Sequence, residues 1–218
     1  MRRQLSAATL LAASAAPTLA QSSIDPVNKF CWQENAGYLN WRDANSANSG
    51  VRDLGTCLSG FAWGENIGWV RIGGTPANGI QFSNATGADA GVNVSAAGAL
   101  SGFAWGENVG WINFSGGALA SPAQPARIEA GRLRGYAWGE NIGWINLDDA
   151  SKFVKLQCAA NCDQSTTAPV LNVVDFVCFN NKFAAGDPSA NCDRSNTPPV
   201  LNVADFICFL NAFAAGCP

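Results

Sequence analysis

Three segments of the chain set indoles around a carboxylate at fixed spacing: residues 60–70 (GFAWGENIGWV), 102–112 (GFAWGENVGWI) and 135–145 (GYAWGENIGWI). Trp69, Trp111 and Trp144 could present flat faces, with Glu65, Glu107 and Glu140 as nearby acceptors. That combination suits sugar rings, whose C–H faces pack on indoles while their hydroxyls take hydrogen bonds. The same residues also read as a folding unit, with Trp filling a core and Gly-Glu-Asn making a turn. Hydrolysis of a glycoside needs two carboxylates about 5–9.5 Å apart, one with a raised pKa. Three equivalent Glu, each in its own turn, lack that asymmetry. The 218-residue chain also contains no His, which excludes Ser-His and Cys-His pairs and His-ligated zinc or haem. The expectation is a protein without catalytic residues.

The elements that position these residues read as β-hairpins. A short strand ends in Ala-Trp, and Gly-Glu-Asn-x-Gly supplies the left-handed conformations of a tight reversal. The second strand alternates Trp69/Arg71 with Val70/Ile72, Trp111/Asn113 with Ile112/Phe114, and Trp144/Asn146 with Ile145/Leu147. Such alternation puts an aliphatic face on a core and a Trp-plus-polar face opposite. A degenerate fourth copy lies upstream at residues 32–39 (WQENAGYL), followed by Trp41. Residues 21–154 are therefore expected to be one mainly β domain of antiparallel hairpins, with closure and topology left open.

Residues 1–20 read as a secretory signal peptide. Arg2 and Arg3 precede an apolar Leu/Ala run, and Thr18-Leu19-Ala20 offers a small-residue cleavage site. The run is too short to span a bilayer, and no membrane span is expected. The formal charge of −3 and a pI near 4.8 give no basic surface for nucleic acid. The expected location is secreted, extracellular or at the cell surface. In such an oxidising compartment all eight Cys, Cys31 and Cys57 included, are read as disulfide-bonded in preference to zinc-bound.

A second repeat occupies residues 155–218, with units at 161–186 and 191–217 offset by 30 residues. Each unit is a polar loop followed by a helix. Asn172 and Asn202 are natural N-caps, with Asp175 and Asp205 in the capping-box position. Phe176, Phe179 and Phe183 recur at i, i+3, i+7, as do Phe206, Phe209 and Phe213, giving one aromatic stripe per helix. Gly186 and Gly216 are the expected stops.

The duplicated loop-helix, with its Leu-Asn-Val-x-Asp-Phe core and its cysteines, resembles a Cys-bearing dockerin-like domain of exported bacterial proteins. The β repeats are similar to segments of other secreted bacterial proteins, which brings no activity with it. The dockerin resemblance implies a small all-α, EF-hand-like module whose loops ligate calcium at positions 1, 3, 5, 9 and 12. Those positions fall on Asn161, Asp163, Ser165, Asn172 and Asp175, and on Asn191, Asp193, Ser195, Asn202 and Asp205. The first loop spans 15 residues rather than 12 and carries two carboxylates, so calcium binding is expected to be weak or lost. Pure helix capping is the alternative role for Asn172 and Asp175. Disulfides could replace the ion: Cys162 to Cys178, Cys192 to Cys208, and Cys158 to Cys217 across the module, one of 15 connectivities open to six cysteines. The resemblance further implies a cohesin-like or cell-surface scaffold partner, met by Val173, Val174, Val203 and Ala204. Burial of these four beside the Phe stripe is the alternative.

Taken together, the sequence points to an exported, anchored protein displaying a Trp-rich β domain for adhesion or polysaccharide binding. A purely structural assembly protein, or a component of extracellular polysaccharide degradation, are the alternatives.

Overall fold

The computed structural model describes residues 22–43 and 50–217; the signal-peptide reading lies outside the described residues. Thirteen strands and two helices are found among the described residues. The strands are β1 (Ile24–Gln33), β2 (Gly37–Asn40), β3 (Arg52–Asp53), β4 (Cys57–Gly64), β5 (Gly68–Gly73), β6 (Val92–Val94) and β7 (Leu100–Gly106). They continue as β8 (Gly110–Asn113), β9 (Arg127–Glu129), β10 (Arg132–Arg134), β11 (Tyr136–Gly139), β12 (Gly143–Asn146) and β13 (Val154–Leu156). The helices α1 (Val173–Ala184) and α2 (Val203–Ala215) follow. The fold is mainly β with a small helical tail.

Each aromatic motif is a hairpin: β1/β2, β4/β5, β7/β8 and β11/β12. The hairpins pair edge to edge in chain order through β2–β4, β5–β7 and β8–β11. β12 then returns to β1, with Trp32 opposite Asn146 and Gln33 opposite Ile145. The result is a closed, eight-stranded antiparallel barrel, whose interior at this strand number is just wide enough for side chains to fill. β3 and β6 pair with the first halves of β4 and β7, and β13, β10 and β9 extend from β1.

The motif encodes this packing residue by residue. Inside the barrel a small residue faces a large one across each hairpin: Ala62 and Val70, Ala104 and Ile112, Ala137 and Ile145, all buried. The Gly after each first Trp makes room for the aliphatic residue of the turn. A Cβ on Gly64, Gly106 or Gly139 would stand 2.4–2.5 Å from Ile67, Val109 or Ile142. The second Gly of each turn takes the left-handed conformation, with φ of +72 to +79° at Gly37, Gly68, Gly110 and Gly143.

The degenerate first copy keeps the same volumes by exchange. Cys31 stands where the others have Ala and faces Leu39. Gln33 stands where the others have Gly, and Ala36 replaces the turn aliphatic, leaving space for the longer side chain. Gln33 is 1% exposed, and its amide bonds the Ala36 N–H and the Ile142 carbonyl. Trp41 takes the place of Ile72, Phe114 and Leu147 and meets Phe114 edge-to-face inside the core, centroids 6.2 Å apart.

If Gly106 and Val109 share one space, Gly106→Ala should destabilise the barrel by about 1–3 kcal/mol through overpacking. Adding Val109→Ala should make the double variant at least ~0.5 kcal/mol more stable than the two single losses predict. Denaturant melts of the four proteins measure this; strict additivity would show that the two side chains do not compete.

Candidate functional site

The aromatic residues of the motif point out of the barrel. On each hairpin two rings sit directly opposite each other and meet edge-to-face at 4.7–4.8 Å: Trp32 and Tyr38, Trp63 and Trp69, Trp105 and Trp111, Trp138 and Trp144. A third ring on the first strand flanks them: Phe30, Phe61, Phe103 or Tyr136, 6.0–6.2 Å from the second-strand ring. Edge-to-face pairing stabilises the hairpins by about 0.5–1.5 kcal/mol per pair beyond burial. The rings are only half covered; Trp111 is 36% and Trp144 39% exposed.

Arg71, Asn113 and Asn146, the polar residues predicted to share this face, do so, and Asn40 joins them. Asn40, Arg71, Asn113 and Asn146 lie opposite the first Trp of the next hairpin: Trp63, Trp105, Trp138 and Trp32. A belt of indoles alternating with polar side chains therefore circles the barrel. Seven of the eight Trp lie on it, and Trp41 alone is core. The expected row of Trp69, Trp111 and Trp144 is thus outward, but each is one member of a paired set, which the alternation in one strand could not reveal.

Glu65, Glu107 and Glu140 are exposed at the turns. Among the described residues none of them hydrogen-bonds or ion-pairs with another side chain, so they stand as a solvated rim at one end. Three of the four turn Asn have a structural task. Asn35 Nδ2 donates to the Ile142 carbonyl (2.9 Å), Asn108 to that of Ile67 (3.1 Å) and Asn141 to that of Val109 (3.1 Å). Each clamps its turn to the preceding hairpin around the ring.

In the tail, both helices open on the predicted capping boxes. Phe179 and Phe209 stack at 4.3 Å, 12° from parallel, between the remaining phenylalanines. Disulfides join Cys162 to Cys178, Cys192 to Cys208 and Cys158 to Cys217. In the loop-entropy picture they contribute about 3 kcal/mol each for the short loops and about 4 for the long one. Cys31 and Cys57 correct the expectation of full pairing. Both are free thiols buried in separate apolar clusters. Cys31 fills an Ala position of the barrel, and Trp41 Nε1 donates to its Sγ at 3.1 Å. Burial pushes both thiols up to about 12, so they are protonated and unreactive.

Of the loop residues carried over from the resemblance, Asn161, Asp163, Ser165 and Asp175 converge. Asp175, fully buried, accepts from the Asp163 and Asn172 N–H groups; Asp163 accepts from Ser165; Asn161 Nδ2 donates to the Ser165 carbonyl. The Asn191, Asp193, Ser195 and Asp205 set repeats this. Asn172 and Asn202 are turned to capping, their amides spent on Val174 and Pro169 and on Ala204 and Pro199. The backbone N–H of Ser165 holds the Asp163 carboxyl below its ordinary range. Burial, with Asp193 beside it, raises that of Asp205. The first loop leaves Asn161 Oδ1 buried with no hydrogen-bond donor among the described residues. In the second loop Asn191 Oδ1 already accepts from the Ser195 N–H.

The loops also dock the tail on the barrel domain. Gln164 and Arg194, equivalent residues both at φ 59°, reach across. Gln164 Nε2 donates to the Ser22 carbonyl (3.3 Å), and Arg194 grips both oxygens of Asp53 and the Gly55 carbonyl. A cleft of about 580 Å³ lies along this seam. Lys182 on its wall has its ammonium pKa lowered by burial.

With the loops docked, the N-terminal faces of the helices stay open. Val173 is 74% and Val203 72% exposed, Val174 is exposed and Ala204 half-buried. Val177, Ile207 and Leu210, also exposed, extend the patch. Their i, i+4, i+7 spacing with Val173 and Val203 was the signal that could have found them. Among the described residues no group of three or more His, Cys, Asp or Glu is placed to hold a metal, and no helix is long and apolar enough to cross a membrane.

Comparison with family models, with curated proteins and with solved structures yields no match to this chain.

The thiol assignment is checked by alkylation and mass spectrometry. Iodoacetamide at pH 8 should leave the native protein unmodified. In denaturant without reductant it should add two groups, at Cys31 and Cys57, and with reductant label every cysteine. Labelling of any other residue before reduction would refute the pairing.

Proposed function

We propose that this is an exported, non-catalytic display protein, anchored through a dockerin-like tail and binding polysaccharide through the aromatic belt of its barrel. The observation that carries this reading is the simultaneous exposure of two separate surfaces: the belt of half-covered indoles and the apolar patch at the start of both tail helices. Exposed aromatics interleaved with amides suit sugar rings, and four similar sites around one barrel suit a polymer that can engage several together. The apolar patch suits a protein partner, with Val173, Val177, Val203 and Ile207 as its centre. A cohesin-like or surface scaffold is the partner the dockerin resemblance implies. Calcium at the first loop, with Asn161, Asp163 and Asp175 as its oxygen donors, is weakly bound or lost, and the disulfides hold the loops without it.

Co-sedimentation of the mature protein with insoluble cellulose, chitin and xylan tests the display half. At least one polymer should retain the protein, and Trp69→Ala with Trp111→Ala should lower the retained fraction several-fold. Retention by none would remove the polysaccharide reading. For the anchoring half, Val177→Glu with Ile207→Glu should abolish capture of a scaffold protein from producing cells while leaving polysaccharide retention unchanged. Capture that survives both changes would place the anchor elsewhere.

A further inference from the structure

The four hairpins are near copies, and three features coincide at the fourth, of which the first is shared in part by the third, where the Phe103 N–H donates to the Gly91 carbonyl (3.2 Å). First, the segment linking β8 to β9 is drawn against β11. The Gln124 N–H donates to the Gly117 carbonyl (2.8 Å), and the Tyr136 N–H donates to the Gln124 carbonyl (2.9 Å). Only glycine allows this approach, because a Cβ on Gly117 would stand 2.1 Å from the Gln124 oxygen and 2.3 Å from that of Tyr136. The segment thereby borders an open surface pocket of about 480 Å³, lined among others by Pro122, Gln124, Tyr136, Trp144 and Asp148. Second, the flanking ring is Tyr136, where the other copies have Phe30, Phe61 and Phe103, which adds a hydroxyl. Third, the strand end carries Asp148, one of whose oxygens is held by Arg134 at 2.7 Å, with Arg132 at 3.5 Å.

We infer that this pocket is a built subsite for a single neutral hexose unit, distinct from the open belt around the other three hairpins. Tyr136 and Trp144 stand 6.1 Å apart and 82° from parallel, forming two walls of an aromatic corner against which the C–H face of a pyranose can pack. Gln124 brings an amide that, among the described residues, has no side-chain hydrogen bond; it can donate to one hydroxyl and accept from another. Asp148 Oδ2 makes no hydrogen bond among the described residues and accepts only. Adjacent hydroxyls donate to this free oxygen, whereas a sugar carboxylate or sulfate has no proton to give it and, with the two arginines engaged on the other oxygen, brings like charge against it at short range. The volume lies in the range of small-molecule sites. This subsite deepens the polysaccharide reading and rests on it for its biological role, although it can bind a monosaccharide by itself.

The test is titration of the mature protein with methyl β-D-glucopyranoside, methyl β-D-galactopyranoside and methyl β-D-galactopyranosiduronate, followed by the tryptophan indole N–H resonances. One neutral glycoside should bind at a single site, and the uronate at least tenfold more weakly. Tyr136→Phe, which only restores the ring of the other copies, and Gln124→Ala should each weaken binding roughly five- to tenfold, as expected for one hydrogen bond lost. No neutral binding, equal binding of the uronate, or indifference to both Tyr136→Phe and Gln124→Ala would overturn the subsite. Polymer retention in the presence of any of those results would fail this inference alone. Monosaccharide binding without retention of any polymer would uphold the subsite and fail the polysaccharide reading.

Discussion

The aromatic belt and the barrel core depend on the pairing of β12 with β1. Without it, four hairpins would form an open sheet with two unpaired edges and an aliphatic face turned to water. The seam is short, two residue pairs, and side chains reinforce it. Gln33 and Asn35 of the first hairpin both bond the Ile142 carbonyl of the last. Closure encloses the Ala/Val/Ile face and so forces the aromatic face outward. The half-exposure of seven indoles is therefore a consequence of closure, which a protein of this composition would otherwise avoid.

That arrangement explains why the first copy of the motif departs most from the others. It must close the barrel rather than continue it, and its Gln33 and Ala36 trade a turn aliphatic for a buried amide that reaches across the seam. The same copy supplies Trp41, whose contact with Phe114 fills the centre. A buried polar side chain is tolerated here because both its ends are hydrogen-bonded. Cys31 belongs to this exchange as well, standing in for Ala with a protonated thiol.

The tail solves a different problem. Two helices and six phenylalanines make too small a core to be secure alone, so three disulfides tie the loops and ends together. Gln164 and Arg194 then commit the loop side to the barrel domain. The helix starts are the side left over, and the apolar residues exposed there are the ones without a structural task.

The repeats, the alternation of strand residues, the capping boxes and the Phe stripes were legible in the sequence, because each rests on local spacing. The pairing of the outward rings across each hairpin, the freedom of Cys31 and Cys57, and the open pocket at Tyr136 and Gln124 were not. A period of two defines two faces of a strand but not which face is enclosed. Enclosure follows from the number of strands and from contacts more than 100 residues apart, such as Gln33 with Ile142. By itself the sequence determined the hairpins, the helices and the chemistry each could carry. The tertiary structure alone decided which side of them meets water, because closing a sheet on itself is a property of the whole ring.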